Sequence, residues 1–234
     1  MADVQQIIEE RKSDYLDWLV RLCRQPSIAA EGRGMSETAQ LVESMLQSIG
    51  ASTKQVETDG YPVVYGELGE GDRTLAFYNH YDVQPADPLD AWDSDPFAAE
   101  VRDGVLYARG VADNKGNIVA RMAAVDAYVR AHGQFPERVK FIIEGEEEIG
   151  SPHLEQFAEE NQALIAADGC IWEAGYSDPQ GRQEVYLGVK GILYVELATE
   201  QANVDLHSMW ASIVPSAPWR LLHALRTIKD EQDH

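Results

Sequence analysis

The sequence predicts an α/β fold, a sheet with helices on its faces. Three observations point there. The chain opens with two amphipathic helical stretches. Short β-rich segments and further helical stretches then alternate, in a βαβ rhythm. Several of the apolar segments run straight into His or carboxylate side chains, and the carboxyl ends of strands are where open α/β sheets bind ligands.

Val4 to Cys23 has helical spacing, with Ile7, Ile8, Tyr15, Leu16, Leu19 and Val20 near one face and charge on the other. Pro26 ends it, and Ser27 to Gly34 is a loop. Ser36-Glu-Thr-Ala opens a second helix that turns Leu41, Met45, Leu46 and Ile49 inward and stops at Gly50. Strands are expected at Ser52 to Val56, Pro62 to Gly66 and Thr74 to Tyr78. A helix from Asn114 to Ala131 carries Ile118, Met122, Val125 and Tyr128 at near-helical intervals. Strand Val139 to Ile143, a helix from about Pro152 to Asn161, and strand Gly169 to Trp172 follow. Two more strands, Glu184 to Leu187 and Gly191 to Ala198, and a helix from Pro218 to Lys229 complete the reading. The rhythm breaks near Gly188-Val-Lys-Gly191, which divides the chain into 1–190 and 191–234.

The 234 residues are 44% hydrophobic and 25% charged, ordinary for a globular protein. The net charge of −21 argues against nucleic acid or an anionic membrane surface as partner and suits cationic ligands. The N-terminus has neither the basic region nor the apolar core of a signal peptide, and no apolar run approaches ~18 residues, so a cytoplasmic protein is expected. Cys23 and Cys170 lie in apolar settings without metal-type spacing and are expected to be buried, reduced thiols.

The chemistry concentrates in Phe141-Ile-Ile-Glu-Gly-Glu-Glu-Glu-Ile-Gly-Ser151, an apolar strand that empties into Glu144, Glu146, Glu147 and Glu148. Such a cluster either faces water or surrounds something strongly positive, because burying uncompensated charge costs several kcal/mol per ion, on the order of the desolvation penalty. Other strand ends match it. Thr74 to Tyr78 leads into His80 and Asp82, two apart and so on one face in extended geometry. That is the pattern of an imidazole oriented by a carboxylate, though a capped turn with an ordinary His has it too. Asp113 precedes a helix, where it could be an N-cap, but Gly110 and Gly116 bracket it and let backbone approach closely. Glu173 follows Gly169 to Trp172. One His and several carboxylates at one sheet edge make a divalent-metal site, zinc first, with cobalt or manganese also suited to N/O ligation.

Four motifs in order, His80-Tyr-Asp-Val-Gln-Pro85, Ala108-Arg-Gly-Val-Ala-Asp-Asn-Lys-Gly116, Glu144-Gly-Glu-Glu-Glu-Ile-Gly-Ser151 and Gly188-Val-Lys-Gly191, resemble the di-zinc exopeptidases. That family includes carnosinase-type dipeptidases, aminoacylase, acetylornithine deacetylase and succinyl-diaminopimelate desuccinylase, and the motifs look most like the dipeptidase branch. The resemblance implies a catalytic domain over 1–190 with a mixed central sheet flanked by helices, then the start of an α+β lid and dimerisation domain over 191–234. It implies His80 as a zinc ligand, Asp82 as the catalytic residue that orients it, and Asp113 as a carboxylate bridging two zincs. Glu147 is implied as general base, Glu148 as ligand of the second zinc, and Glu173 as the carboxylate that completes the first. Glu144 and Glu146 are left as supporting or solvated residues.

His207, in Asn203-Val-Asp-Leu-His-Ser208, aligns with a His that reaches a partner subunit's active site in a homodimer and binds the substrate. The implied reaction is hydrolysis of a dipeptide amide bond, the substrate being a small peptide, with deacylation of N-acyl amino acids as the sister activity. The family's final His ligand has no counterpart here, since neither His223 nor His234 stands in its context. The resemblance therefore implies an N-terminal portion of a longer enzyme in which the second zinc lacks its imidazole, and the alternative to a working hydrolase is a truncated, catalytically incomplete fragment that binds one metal or none.

Overall fold

The computed structural model describes residues 3–173, 175, 177–229 and 232. It separates into two compact units, residues 1–185 and 186–234.

In the first unit, the opening helical stretch forms two helices, α1 (Val4–Glu10) and α2 (Lys12–Arg24). The interruption falls at Arg11 (φ −104°, ψ 8°), whose guanidinium lies 3.2 Å from the buried Asp126 carboxylate. Asp14 in the first turn of α2 and Arg21 and Arg24 in its last turn complement the helix dipole. Then come α3 (Met35–Ser48), β1 (Ser52–Val56), β2 (Val63–Leu68) and β3 (Thr74–His80). A small hairpin, β4 (Glu100–Arg102) and β5 (Val105–Tyr107), was not expected. Its signal is Asp103-Gly104, both at positive φ, the dipeptide that two-residue hairpin turns select. Next are α4 (Gly116–His132), β6 (Arg138–Glu144), α5 (Leu154–Glu160), α6 (Gln162–Ile165) and β7 (Gly169–Ile171).

The five-stranded sheet has the order β1-β2-β6-β3-β7. β1 and β2 are antiparallel, as are β2 and β6, while β6, β3 and β7 run parallel. The sheet is therefore mixed, and helices cover it on both faces. Along β6, Phe141 and Ile143 join Val64, Phe77, Leu46, Ile118 and Met122 on the side of α3 and α4. Ile142, which points the other way, joins Tyr65, Ala76, Tyr78 and Phe157 with Leu154 and Ile165 of α5 and α6. Burial on both faces explains why these strands read as unbroken apolar runs.

Cys170 corrects the expectation of two buried thiols. Cys23 is buried, but Cys170 is exposed on β7, which among the described residues is the last strand of the sheet.

The second unit contains a short 3₁₀ turn (Ser208–Ser212) and α7 (Ala217–Ile228), with Pro218 in the first turn where its missing N–H is harmless. The strands expected at Glu184 to Leu187 and Gly191 to Ala198 do not form. Among the described residues neither segment pairs with another strand, and Leu187 and Leu193 stand 97% and 87% exposed. An extended segment becomes a strand only when a neighbour takes its backbone hydrogen bonds. No helix among the described residues is long and apolar enough to cross a membrane.

Candidate metal centre

The parallel pairing of β6, β3 and β7 gathers their carboxyl ends at one sheet edge. His80, the last residue of β3, stands opposite Glu144, the last of β6. The chain stays close past both ends, with the Tyr81 amide donating to the Glu144 carbonyl at 2.8 Å. Glu173 lies two residues beyond β7.

His80 is fully buried and forms the floor of the site. Its Nδ1 faces two acceptors of Asp82, the carbonyl at 3.1 Å and carboxylate Oδ1 at 3.3 Å. Nδ1 therefore carries a proton, and Nε2 is the atom turned to the site. Nε2 lies 2.9 Å from Asp113 Oδ1, 3.3 Å from Glu173 Oε2 and 3.9 Å from Glu147 Oε2. Asp82, equally buried, has a second task. Its carboxylate accepts the backbone N–H of Glu147 at 3.2 Å and of Glu148 at 3.0 Å, which fixes where the acidic run enters its 3₁₀ turn (Glu147–Ile149).

Asp113 sits in the tight turn Val111–Lys115 ahead of α4, with extended backbone (φ −130°, ψ 94°) among helical neighbours and a cis peptide bond to Asn114. It is not the N-cap of α4. That position belongs to Lys115, whose buried ammonium donates to the Leu22 and Gln25 carbonyls at the end of α2 and so anchors the turn. Gly110, at φ +78°, allows the close approach its position suggested, since a Cβ there would run into Val83.

The four glutamates of the acidic run divide. Glu144 and Glu146 are buried supports, neither of them solvated. Glu144 accepts the Tyr78 hydroxyl and the Ser151 hydroxyl, and Glu146 lies 2.8 Å from His153 Nδ1. Glu147 and Glu148 are half-buried and face the site, Glu148 also accepting from the Gln84 amide at 2.9 Å.

The electrostatics are those of a site crowded with negative charge. Burial pushes the Glu173 carboxyl up to about 7 and raises those of Glu147 and Glu148 as well. Burial alone would lower the His80 imidazolium, but its contacts with Asp113 and Asp82 prevail and push it up to about 11. The same contact holds the Asp113 carboxyl below its usual range.

These residues fit a divalent ion. Two sets, His80 with Glu147 and Glu173, and His80 with Asp113 and Glu148, bring ligand atoms within 4.8 Å of one another. Tetrahedral zinc ligation separates neighbouring N and O donors by about 3.3 Å, close to the His80 distances. Glu173 Oε2 is buried without a hydrogen-bond partner, an orphan that a cation would satisfy. Both sets share one imidazole, His80.

Of the residues singled out in the sequence, His80, Asp82, Asp113, Glu147, Glu148 and Glu173 come together. His207 belongs to the second unit, exposed, its Nδ1 accepting the Met209 amide at 3.2 Å. His223 lies on α7, and His234 lies outside the described residues. Sequence reasoning missed Tyr78, Asn79, Gln84, Asn114 and Arg121 as supports. Arg121 had a signal: it is a lone cation among the inward residues Ile118, Met122 and Val125 of α4.

The fold and the site describe an α/β protein built to hold a divalent cation at a strand-end cluster. Residues 76–231 match the model of peptidase family M20/M25/M40. The Cys-Gly metallodipeptidase dug1 of Schizosaccharomyces pombe is 29% identical over 221 residues, 87% of this chain and 46% of that protein. The human Beta-Ala-His dipeptidase is 32% identical over 209 residues, 85% of this chain and 41% of that one. Among solved structures, the M20 family metallo-carboxypeptidase Sso-CP2 from Sulfolobus solfataricus superposes with a TM-score of 0.87 at 39% identity, covering 93% of this chain and 50% of its own. The chain belongs to peptidase family M20/M25/M40. It spans about half the length of the curated relatives it matches.

Proposed function

We propose that this chain carries the metal centre of a zinc-dependent hydrolase that cleaves the amide bond of dipeptides. The observation that carries the reading is the convergence of Asp113, Glu173 and Glu147 on the buried Nε2 of His80. The dipeptidases among its relatives support the substrate class.

His80, Asp113 and Glu173 would hold one ion, with Asp113 and Glu148 reaching toward a second; Glu147, the carboxylate farthest from His80 Nε2 at 3.9 Å against 2.9 Å for Asp113 and 3.3 Å for Glu173, is assigned to the proton and not to the ion. An ion so held supplies Lewis acidity and brings the pKa of a water toward ~7. The chain's residues do the rest. Asp82 keeps the proton on His80 Nδ1 and the ring in place. Glu147, at the rim and 34% exposed, takes the proton of the attacking water and returns it to the leaving amine. Burial raises its carboxyl in the metal-free chain, and a bound cation would pull the other way. His207 of a second copy is assigned to the substrate carbonyl, through a homodimer formed by the lid.

The test is to purify the 234-residue chain, measure bound zinc, and assay a panel of dipeptides and N-acyl amino acids. Zinc in the preparation and dipeptide turnover that Glu147→Gln abolishes with the zinc retained are expected. Turnover confined to N-acyl amino acids would replace the substrate class. Zinc without turnover would overturn hydrolysis by this chain, and no zinc would overturn the reading itself.

A further inference from the structure

β7 pairs with β3 only as far as Ile171 opposite Phe77. One residue further on, a side chain takes over. Arg121, buried on α4, donates from Nη1 to the Tyr78 carbonyl at 2.5 Å and to Asn79 Oδ1 at 2.6 Å, and from Nη2 to the Trp172 carbonyl. The Tyr78 and Trp172 rings stack above this junction, centroids 3.8 Å apart. The amide of Asn79, its oxygen held by Arg121, donates to Asn114 Oδ1.

Each of these acceptor residues lies within two positions of a candidate ligand. Tyr78 and Asn79 lead into His80, Trp172 leads into Glu173, and Asn114 follows Asp113. One planar guanidinium thus reaches, directly or through Asn79, the backbone or side chain adjoining all three ligands of the first ion. Its fork is suited to this, because its donors leave in fixed directions and a single ammonium cannot span the same acceptors. We propose that Arg121 is the positioning residue of the metal centre, setting the relative placement of His80, Asp113 and Glu173. The proposal rests on the metal reading above. It adds a residue outside the four motifs, one that touches neither ion nor substrate.

The test is the affinity of the chain for Zn²⁺, by competition with a chromophoric chelator, together with the visible absorption of bound Co²⁺, which reports ligand number and geometry. Arg121→Gln is expected to weaken Zn²⁺ about 10-fold or more and to change the Co²⁺ bands. Arg121→Lys is expected not to restore either. Asn79→Ala cuts only the relay to Asn114 and is expected to weaken Zn²⁺ by less. Val125→Ala, a core substitution on the same helix, should lower thermal stability while leaving affinity and spectrum unchanged. If Arg121→Gln or Arg121→Lys binds Zn²⁺ like the parent with the same Co²⁺ spectrum, the positioning role is wrong and the metal reading stands. If Arg121→Gln does not fold, Asn79→Ala decides, and unchanged affinity there overturns the proposal. A parent chain that binds no Zn²⁺ would remove both.

Discussion

Asp82 stands behind His80 and binds two parts of the site at once. The oxygen 3.3 Å from His80 Nδ1 also accepts the Glu147 amide, and its partner oxygen accepts the Glu148 amide. The imidazole at the end of β3 and the glutamates after β6 therefore share one buried carboxylate. Asp82→Asn is expected to weaken Zn²⁺ about 10- to 100-fold, the usual effect of losing a ligand's hydrogen-bond partner. Chelator competition on variant and parent checks it, and equal affinities would show that Asp82 serves folding alone.

Glu147→Gln removes the proposed base while keeping its size and its backbone contact with Asp82. The expected loss in kcat is about 10²- to 10⁴-fold, the range for general acid–base catalysis. Zinc content, measured alongside, should be unchanged, and a variant that keeps its kcat would transfer the role to another group.

The acidic run should separate by phenotype. Glu144→Ala leaves the buried Tyr78 hydroxyl without its acceptor and should cost about 1–3 kcal/mol of stability. Glu148→Ala should leave the melting temperature nearly unchanged and weaken metal binding. Thermal melts and zinc titrations of the two variants make the comparison, and the same phenotype in both would erase the division.

That division marks the limit of what the sequence disclosed. The strand ends were legible because apolar runs lead directly into His80, Glu144 and Glu173, whereas Asp113 and the roles of Glu147 and Glu148 were legible through the four motifs that resemble the di-zinc exopeptidases. Which glutamates turn inward was not, since it depends on Tyr78, Ser151 and His153, whose placement comes from other elements. The cross-braces Asn79 and Arg121 were hidden for the same reason, being 42 residues apart in sequence. The β4–β5 hairpin was marked by Asp103-Gly104 and overlooked. The apolar run at Gly191 to Ala198 misled, because such a run records a capacity for pairing and not the presence of a neighbour.

The metal-free chain should lose stability as pH rises. Burial moves the Glu173 carboxyl from 4.5 to about 7, so the folded state prefers its protonated form. The stability it contributes is complete below about 4.5 and is lost as pH climbs through about 7. His80, raised from 6.5 to about 11, acts in the same sense at higher pH. Melting temperatures of the chelator-treated chain should therefore fall from about pH 5 to about pH 8, with a shallower slope in Glu173→Gln. Added Zn²⁺ should stabilise more as pH rises, because it replaces protons on its ligands. A melting temperature that climbs over this interval without metal would contradict the charge balance described for the site.

The most direct measurement is Zn²⁺ binding by the parent chain and by His80→Ala, read by calorimetry at neutral pH. His80 is common to both candidate ligand sets, so its loss should abolish tight binding while the fold, monitored by circular dichroism, persists. Tight Zn²⁺ binding by the parent and none by the variant is the predicted result. Equal binding by the two, or none by either, would contradict the assignment of this strand-end cluster as a metal centre.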